Sequence, residues 1–570
     1  MYYMHNCINA LGGKMKTLEL LEVIFVFAGG LGMFLYGMNM MGEGLQKSTG
    51  NKLKRLLGYL TKNRLMAVII GALVTAIIQS SSATTVMIVG FVNAGIMNLV
   101  QATGVIMGAN IGTTVTAWLV SMGEWSSLLK PDFFAPVLIA GGVFTTLLCK
   151  NKTKKDIAEI IIGLGLLFIG LKFMSDVIKP YAQAEDSIFR QAFIVLGKNP
   201  VLGILVGVAV TAVIQSSSAS VGILQTLAMA GVVNWQSAIF ITLGQNIGTC
   251  ITAILSSIGA SKTAKRASII HLSFNVIGAI VFGVIMYIIF RFKPDFAGSN
   301  ISSTQISIFH TIFNISNTVI LFPFANFLVK LSGLFIDDSK VDVSTDHIQV
   351  TLRHLDERIL ESPSFAVQNA IKEVIHMGEI TLDNTREAVD ALLNNNDEKA
   401  KKVFEVEKII DAHQKIINEY LVKINNLSLT DRQKNIINNL FHTVSNIERV
   451  GDHADNLAEL AEEKVANDLY LSDDAYEELK GICNIALKSF EYALKARTTE
   501  SIDDIRKVAE LEKEVDKLKD ELRQKHIDRL SQGLCSSENG VVFIDALINL
   551  ERISDHSLNI ANFVESEIEE

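Results

Sequence analysis

Apolar residues fill long blocks between about Leu20 and Phe335, with charges confined to short gaps. After Asp337 the pattern changes to apolar positions at helical spacing with charges between them. A membrane helix needs about 20 mostly apolar residues. Seven segments meet that requirement: 20–41, 101–121, 132–149, 157–178, 236–257, 267–290 and 305–332. Two further blocks, 65–99 and 201–233, are too long for one span, and each is interrupted near its centre by QSSS. They predict pairs of half-length helices that enter the bilayer, turn at mid-depth and leave on the side of entry. From about Thr345 onward Gly and Pro are rare and β-branched alternation is absent, which predicts an all-helical soluble domain.

Basic residues orient the spans, because short cytoplasmic loops collect Lys and Arg. Lys47, Lys52, Lys54, Arg55, Lys62 and Arg64 precede the first QSSS block. Lys150, Lys152, Lys154 and Lys155 follow the 132–149 span, and Lys262, Lys265 and Arg266 follow the 236–257 span. Seven spans and two re-entrant hairpins put all three clusters and the C-terminal domain on one face. A single crossing at each QSSS block would set the first cluster opposite the second.

The chain repeats itself. Residues 71–119 align without a gap on 207–255, and 22 of those 49 positions are identical. QSSS matches QSSS, and "GANIGTTVTA" from Gly108 matches "GQNIGTCITA" from Gly244. Upstream, "GLGMFLYGMNMM" from Gly30 is echoed by "GLGLLFIGLKFM" from Gly163. Each copy holds three spans and one hairpin. Three is odd, so the copies must be inverted, as in secondary transporters whose broken helices meet at the midplane. The expected layout is a tail at 1–19, repeat 1 at 20–149, an inverted repeat 2 at 157–290, a final transmembrane helix at 305–335 and a cytoplasmic domain at 345–570.

A helix that ends inside a bilayer leaves backbone N–H groups without partners, at a cost of several kcal/mol each. Serine at the turn can cap the returning half-helix. The helix start also carries roughly half a positive charge, so two starts facing each other form a cradle for an anion. Neither QSSS tip contains Lys or Arg, so N–H and O–H donors would hold the anion. The remaining oxygens, with those of Asn110, Thr113, Thr116, Asn246, Thr249 and Thr252, suit a hard cation such as Na⁺. Small polar residues also pack membrane helices, but a four-residue polar run repeated at fixed offset goes beyond packing. Asn275 and Asn314, in the echoed "HLSFN" and "HTIFN", are weaker site candidates, and His271 and His310 beside them are expected to make structural hydrogen bonds.

Paired QSSS hairpins each followed by NIGT resemble the type II sodium/phosphate cotransporter family over about residues 20–335. The resemblance implies Na⁺-coupled transport of inorganic phosphate across the plasma membrane. Phosphate would sit at Gln79, Ser80, Ser81, Ser82, Gln215, Ser216, Ser217 and Ser218. Sodium would use Gln79, Thr75, Asn110, Thr113 and Thr116, with Gln215, Thr211, Asn246, Thr249 and Thr252. The second copy departs at Cys250, where the first has Thr114, and at Val221, where the first has Thr85.

The soluble part is also duplicated. "VEKIIDAHQKI" (from Val406) and "NIERVGDHADNLAE" (from Asn446) form one set. "LEKEVDKLKDEL" (from Leu511) and "NLERISDHSLNIAN" (from Asn549) form the other. The i,i+4 spacing places two carboxylates on one helix face. Glu407 and Asp411 are expected to meet Glu448 and Asp452, and Glu512 and Asp516 to meet Glu551 and Asp555. Such oxygen-rich clusters suit a divalent metal or iron. The segment resembles PhoU, the two-bundle phosphate-signalling regulator that binds metal clusters through such motifs.

The formal net charge of −9 is carried largely by the soluble end and argues against nucleic-acid binding. Five scattered cysteines imply neither a disulfide framework nor a zinc site. No nucleophile–base pairing or P-loop points to an enzyme. The expected partners are inorganic phosphate and the lipid bilayer, with room for a homo-oligomer and a cytoplasmic phosphate-signalling partner. The alternative reading is a membrane-anchored PhoU-like phosphate sensor that transports little. A mere anchor, however, has no use for duplicated polar hairpins at mid-depth.

Overall fold

The computed structural model describes residues 17–58, 63–125, 131–182, 188–336 and 355–569. Most of the tail at 1–19 and the connection at 337–354 lie outside the described residues. The chain divides into two compact units, Met1–Asp342 and Val343–Glu570. Both are helical, with no β-strand among the described residues.

The first unit opens with α1 (Thr17–Gly58), α2 (Arg64–Ile78), α3 (Ser81–Asn93), α4 (Leu99–Ser121) and α5 (Pro131–Leu148). It continues with α6 (Lys152–Ala182), α7 (Ile188–Lys198), α8 (Pro200–Ile214), α9 (Ser217–Met229), α10 (Trp235–Gly248) and α11 (Cys250–Ser256). It closes with α12 (Lys262–Phe292), α13 (Pro294–Gly298), α14 (Ser303–Leu321) and α15 (Ala325–Phe335). Two expectations need correction. The stretch after residue 41 is not a loop: α1 runs on to Gly58, with no proline to stop it. The final span, expected as one helix over 305–332, bends by 87° between α14 and α15. Pro323 lies at the bend, where it supplies no N–H to continue the helix, although Phe322 before it keeps helical angles. Arg64 braces the bend, donating to the Phe322 carbonyl at 3.3 Å and to Asn326 Oδ1 at 3.0 Å.

The two repeats are related by an internal two-fold axis. Glycines in α1 and α6 pack reciprocally: a Cβ on Gly30 would lie 2.9 Å from the Gly170 carbonyl, and one on Gly163 would lie 2.6 Å from that of Gly37. In the echoed segments Gly30 corresponds to Gly163 and Gly37 to Gly170, so each contact is the image of the other and the two helices run antiparallel. The same holds within each repeat. Gly71 and Gly108 bring α2 against α4, and their images Gly207 and Gly244 bring α8 against α10. The outer faces stay apolar, with Ile24 and Phe25 of α1, Ile280 and Val284 of α12, and Ile312 and Val319 of α14 all exposed. An exposed apolar surface of this extent reads as lipid-facing.

The second unit is a tandem of three-helix bundles. The first holds α16 (Pro363–Asn394), α17 (Asp397–Asn425) and α18 (Asp431–Ala466). The second holds α19 (Asp473–Thr499), α20 (Ile502–Ser531) and α21 (Ser537–Glu569). They share one apolar core and meet along α18 and α21. That seam repeats the duplication: His453 Nδ1 lies 2.9 Å from Asn549 Oδ1, and His556 Nδ1 lies 2.9 Å from Asn446 Oδ1. The two imidazoles stack 5.6 Å apart.

Candidate functional site: the meeting of two polar helix breaks

Each QSSS segment is a break between two half-helices. Gln79 ends α2 in the left-handed region, at φ 59°, and Gln215 ends α8 at φ 57°. A non-glycine residue there costs about 1–3 kcal/mol and persists only where its surroundings hold it. Ser80 then caps α3, accepting from the Ala83 N–H at 3.1 Å, and Ser216 caps α9 from the Ala219 N–H at 3.2 Å. Thr75 reaches across the first break to Thr84 at 3.1 Å, and its image Thr211 reaches Ser220 at 2.9 Å.

The two breaks meet. Ser81 Oγ and Ser217 Oγ are 3.0 Å apart, both buried. They are separated by the repeat offset of 136 residues, so the contact lies on the internal axis. Ser82 Oγ donates to the Gln215 carbonyl at 3.4 Å. Ser218 Oγ donates to Thr116 Oγ1 at 3.4 Å, and Thr116 in turn donates to Gln79 Oε1 at 2.9 Å. The starts of α3 and α9 therefore converge on one point with hydroxyls between them. The tips differ in exposure, since Gln79 is buried and Gln215 is exposed.

The NIGT residues are partly drawn in. Thr113 and Thr249 donate to carbonyls of their own helices, Ala109 and Gln245, both at 3.0 Å. Asn110 and Asn246 use their amide N–H on Ile106 and Thr242. Spending the protons this way leaves oxygens as acceptors, the form a cation requires. Thr116 joins the tips, whereas Thr252 donates to its own helix at Thr249. Cys250 turns away towards α12, with Sγ 3.3 Å from Asn275 Nδ2.

Sequence reasoning missed Gln225 and Gln245. Gln225 Nε2 donates to the carbonyls of Ala117 and Ser303 and to Ser307 Oγ, tying α9 to α4 and α14. Gln245 Nε2 donates to Ser220 Oγ at 2.9 Å, just behind the second tip. The first repeat has Val89 and Ala109 at these positions. The available signal was an amide standing in one copy where its image is apolar. His310 Nε2 lies 3.3 Å from Asn246 Oδ1, the kind of structural bond expected of it.

In the second unit the carboxylates of Glu512, Asp516 and Asp555 place oxygens within 4.8 Å of one another. Glu551 is instead held by Lys519 at 3.1 Å. In the first bundle both Glu407 oxygens are buried without a hydrogen-bond partner. Burial, then repulsion from Asp411, Asp452, Asp455 and Glu448, pushes the Glu407 carboxyl up to about 8. Burial, followed by neighbouring carboxylates, also raises Glu448, Asp452 and Asp455. Asp455 was not anticipated; the second copy has Leu558 at the matching place. Both clusters have the donor set of an oxygen-preferring cation.

The charge build-up at Glu407 has a testable sign. The unfolded carboxyl loses its proton near 4.5 and the folded one near 8, so folding takes up a proton between those values. Stability then falls as pH rises across that window and levels above it. In chelator, the melting temperature of the wild-type protein should drop between about pH 5 and about pH 8. Glu407→Gln should flatten that drop. An equal slope in both proteins would count against the charge build-up.

Residues 33–176 and 181–309 match the Na+/Pi-cotransporter family, and residues 374–461 and 479–564 match the PhoU domain. The chain joins a Na+/Pi-cotransporter module to a pair of PhoU domains. Among its relatives is YjbB of Escherichia coli (strain K12), provisionally named an inorganic phosphate export protein. It is 22% identical over 93% of this chain and 95% of its own length. The human sodium-dependent phosphate transport protein 2B is 39% identical over 84 residues, covering 14% of this chain and 12% of its own. The crystal structure of PhoU from Pseudomonas aeruginosa covers 36% of this chain and 97% of its own, at 24% identity and a TM-score of 0.35. The first unit is thus similar to phosphate transporters and the second to PhoU domains.

Proposed function

We propose that this protein is a secondary carrier that couples Na⁺ to the movement of inorganic phosphate across the plasma membrane. Phosphate is held between the two QSSS tips, and the C-terminal unit is a cytoplasmic regulator. One observation carries the reading: Ser81 and Ser217 touch on the internal axis, at the converging starts of α3 and α9. Two helix starts and a ring of hydroxyls supply donors for a dianion without Lys or Arg. The acceptor oxygens of Gln79, Thr75, Asn110, Thr113 and Thr116, and of Gln215, Thr211, Asn246, Thr249 and Thr252, are the proposed sodium ligands. A cation beside the anion offsets its charge in a site of low dielectric, so each ion raises the affinity for the other.

The orientation rests on where the basic clusters meet. Lys47 pairs with Glu159 at 2.8 Å, which brings the end of α1 beside the Lys152–Lys155 region. Arg64 and Arg266 both grip the bend and α15, the latter through the Val329 carbonyl at 2.9 Å. Lys47 and Arg64 of the first cluster, the helix that carries the second, and Arg266 of the third are thus drawn towards one end of the unit, which supports the positive-inside reading. The acidic clusters Glu407, Asp411, Glu448, Asp452 and Glu512, Asp516, Asp555, with Glu551 at the rim, are proposed to hold a divalent metal or iron and to inform the carrier of internal phosphate.

Equilibrium binding of labelled phosphate to the purified full chain tests the coupling. Replacing choline by sodium should raise phosphate affinity by about 5- to 150-fold, the usual range of coupling between two sites. Equal affinity in both salts would remove sodium from the reading.

A further inference from the structure

The first bundle contains a second group of ligand-type side chains, apart from its carboxylate cluster. Glu373 and His376 stand three residues apart on α16, and so on one face of it. His413 projects from the buried face of α17, in line with Ile410 and Ile417. Glu373 and His413 are both fully buried. Neither ring nitrogen of His413 has a hydrogen-bond partner. A buried imidazole with two idle nitrogens needs an explanation, and an ion that uses one of them is one such explanation. The groups that act electrostatically on His413 are Glu373 and His376, and none of the carboxylates around Glu407 is among them.

We propose that Glu373, His376 and His413 form a binding site for a first-row divalent transition ion such as zinc, separate from the acidic clusters. Two imidazoles and one carboxylate are the donor set such ions select over magnesium or calcium. The His376 and His413 ring centroids are 6.2 Å apart. An ion bonded to one nitrogen of each ring at about 2.0–2.1 Å would hold the centroids roughly 5–6.4 Å apart, depending on the angle at the metal. The ring separation falls in that range, but the three donor atoms do not already lie within 4.8 Å of one another as those of Glu512, Asp516 and Asp555 do, so the side chains close on the ion as it binds. His376 Nδ1 lies 3.9 Å from Glu379 Oε2, beyond hydrogen-bond reach but close enough for the carboxylate to attract the ring. His376 is partly exposed, and gives the ion a way in.

The second bundle acts as an internal contrast. In the register that places Glu407 on Glu512, His413 falls on Leu518, which packs against the apolar core. The polar group is thus a property of the first bundle and not a demand of the fold.

The test uses the full chain in detergent, stripped with chelator and titrated with Co²⁺, a spectroscopic stand-in for zinc. Bound metal is counted by mass spectrometry, and the visible d–d absorption of a histidine-ligated ion is recorded. Wild type is expected to take up, besides any Co²⁺ held by the acidic clusters, one equivalent with that absorption, and to melt at a higher temperature with it. His413→Leu and His376→Gln should each lose that equivalent, its absorption and its share of the thermal shift. Glu407→Gln with Asp452→Asn should keep all three. His413→Leu copies the Leu518 arrangement and is expected to fold; His376→Gln, at a partly exposed position, is the second variant should it not. Equal Co²⁺ uptake and identical spectra in wild type and either histidine variant would overturn the proposal.

Discussion

Alanine at both Ser81 and Ser217 is expected to weaken phosphate binding by two to four orders of magnitude while leaving the protein folded. Each hydroxyl that gives a hydrogen bond to a charged ligand contributes about 1.5–3 kcal/mol, and the double variant loses two. In the structure these hydroxyls are 3.0 Å apart and bond each other. An entering dianion would accept a hydrogen bond from each hydroxyl in place of this contact, so the contact marks where the ligand goes. The caps at Ser80 and Ser216 are untouched in this variant, so both returning helices keep their starts. Phosphate affinity within threefold of wild type in the double variant, with unchanged melting behaviour, would refute the cradle.

Valine at Gly108 or Gly244 is expected to abolish assembly of the membrane unit. A Cβ at Gly108 would lie 2.0 Å from the Val68 carbonyl oxygen, and one at Gly244 would lie 2.0 Å from that of Ile204. Backbone cannot yield as a side-chain tip can, so the helices must separate. Overpacking of a well-filled interior costs about 1–3 kcal/mol even where side chains can adjust. Here the separation would also open the hydroxyl pairs behind the tips. The controls are Gly29 and Gly32, where a Cβ meets nothing within 4 Å. Valine there should leave a monodisperse protein on size-exclusion chromatography, and valine at Gly108 or Gly244 should not. Four alike profiles would show that the close crossings do not hold the unit together.

The hairpins were legible because the polar run is repeated at fixed offset in an apolar background, and nothing but a shared site or a shared break requires that. The inversion followed from the odd number of spans, and the reciprocal glycine contacts give it a physical form. The bend after Leu321 was harder to read. Apolar residues continue through Pro323, and hydropathy does not register a lost N–H. The course of α1 beyond residue 41 was hidden for the opposite reason: polar residues there suggested a loop, but none of them breaks a helix. Gln225 and Gln245 went unseen because a single amide in an apolar run looks like noise until its image is found to be Val89 or Ala109. Glu373 and His413 stand among many charged and polar residues on amphipathic helices, and only their burial separates them from the rest.

The most direct measurement of the central claim is uptake of labelled phosphate by proteoliposomes containing the full chain, under sodium gradients of either sign and at fixed voltage. Phosphate should accumulate on the side towards which sodium flows, and the direction should reverse when the gradient is reversed. The Ser81→Ala, Ser217→Ala variant should show neither effect. Phosphate flux that ignores the sodium gradient, or that matches protein-free vesicles, would contradict the account.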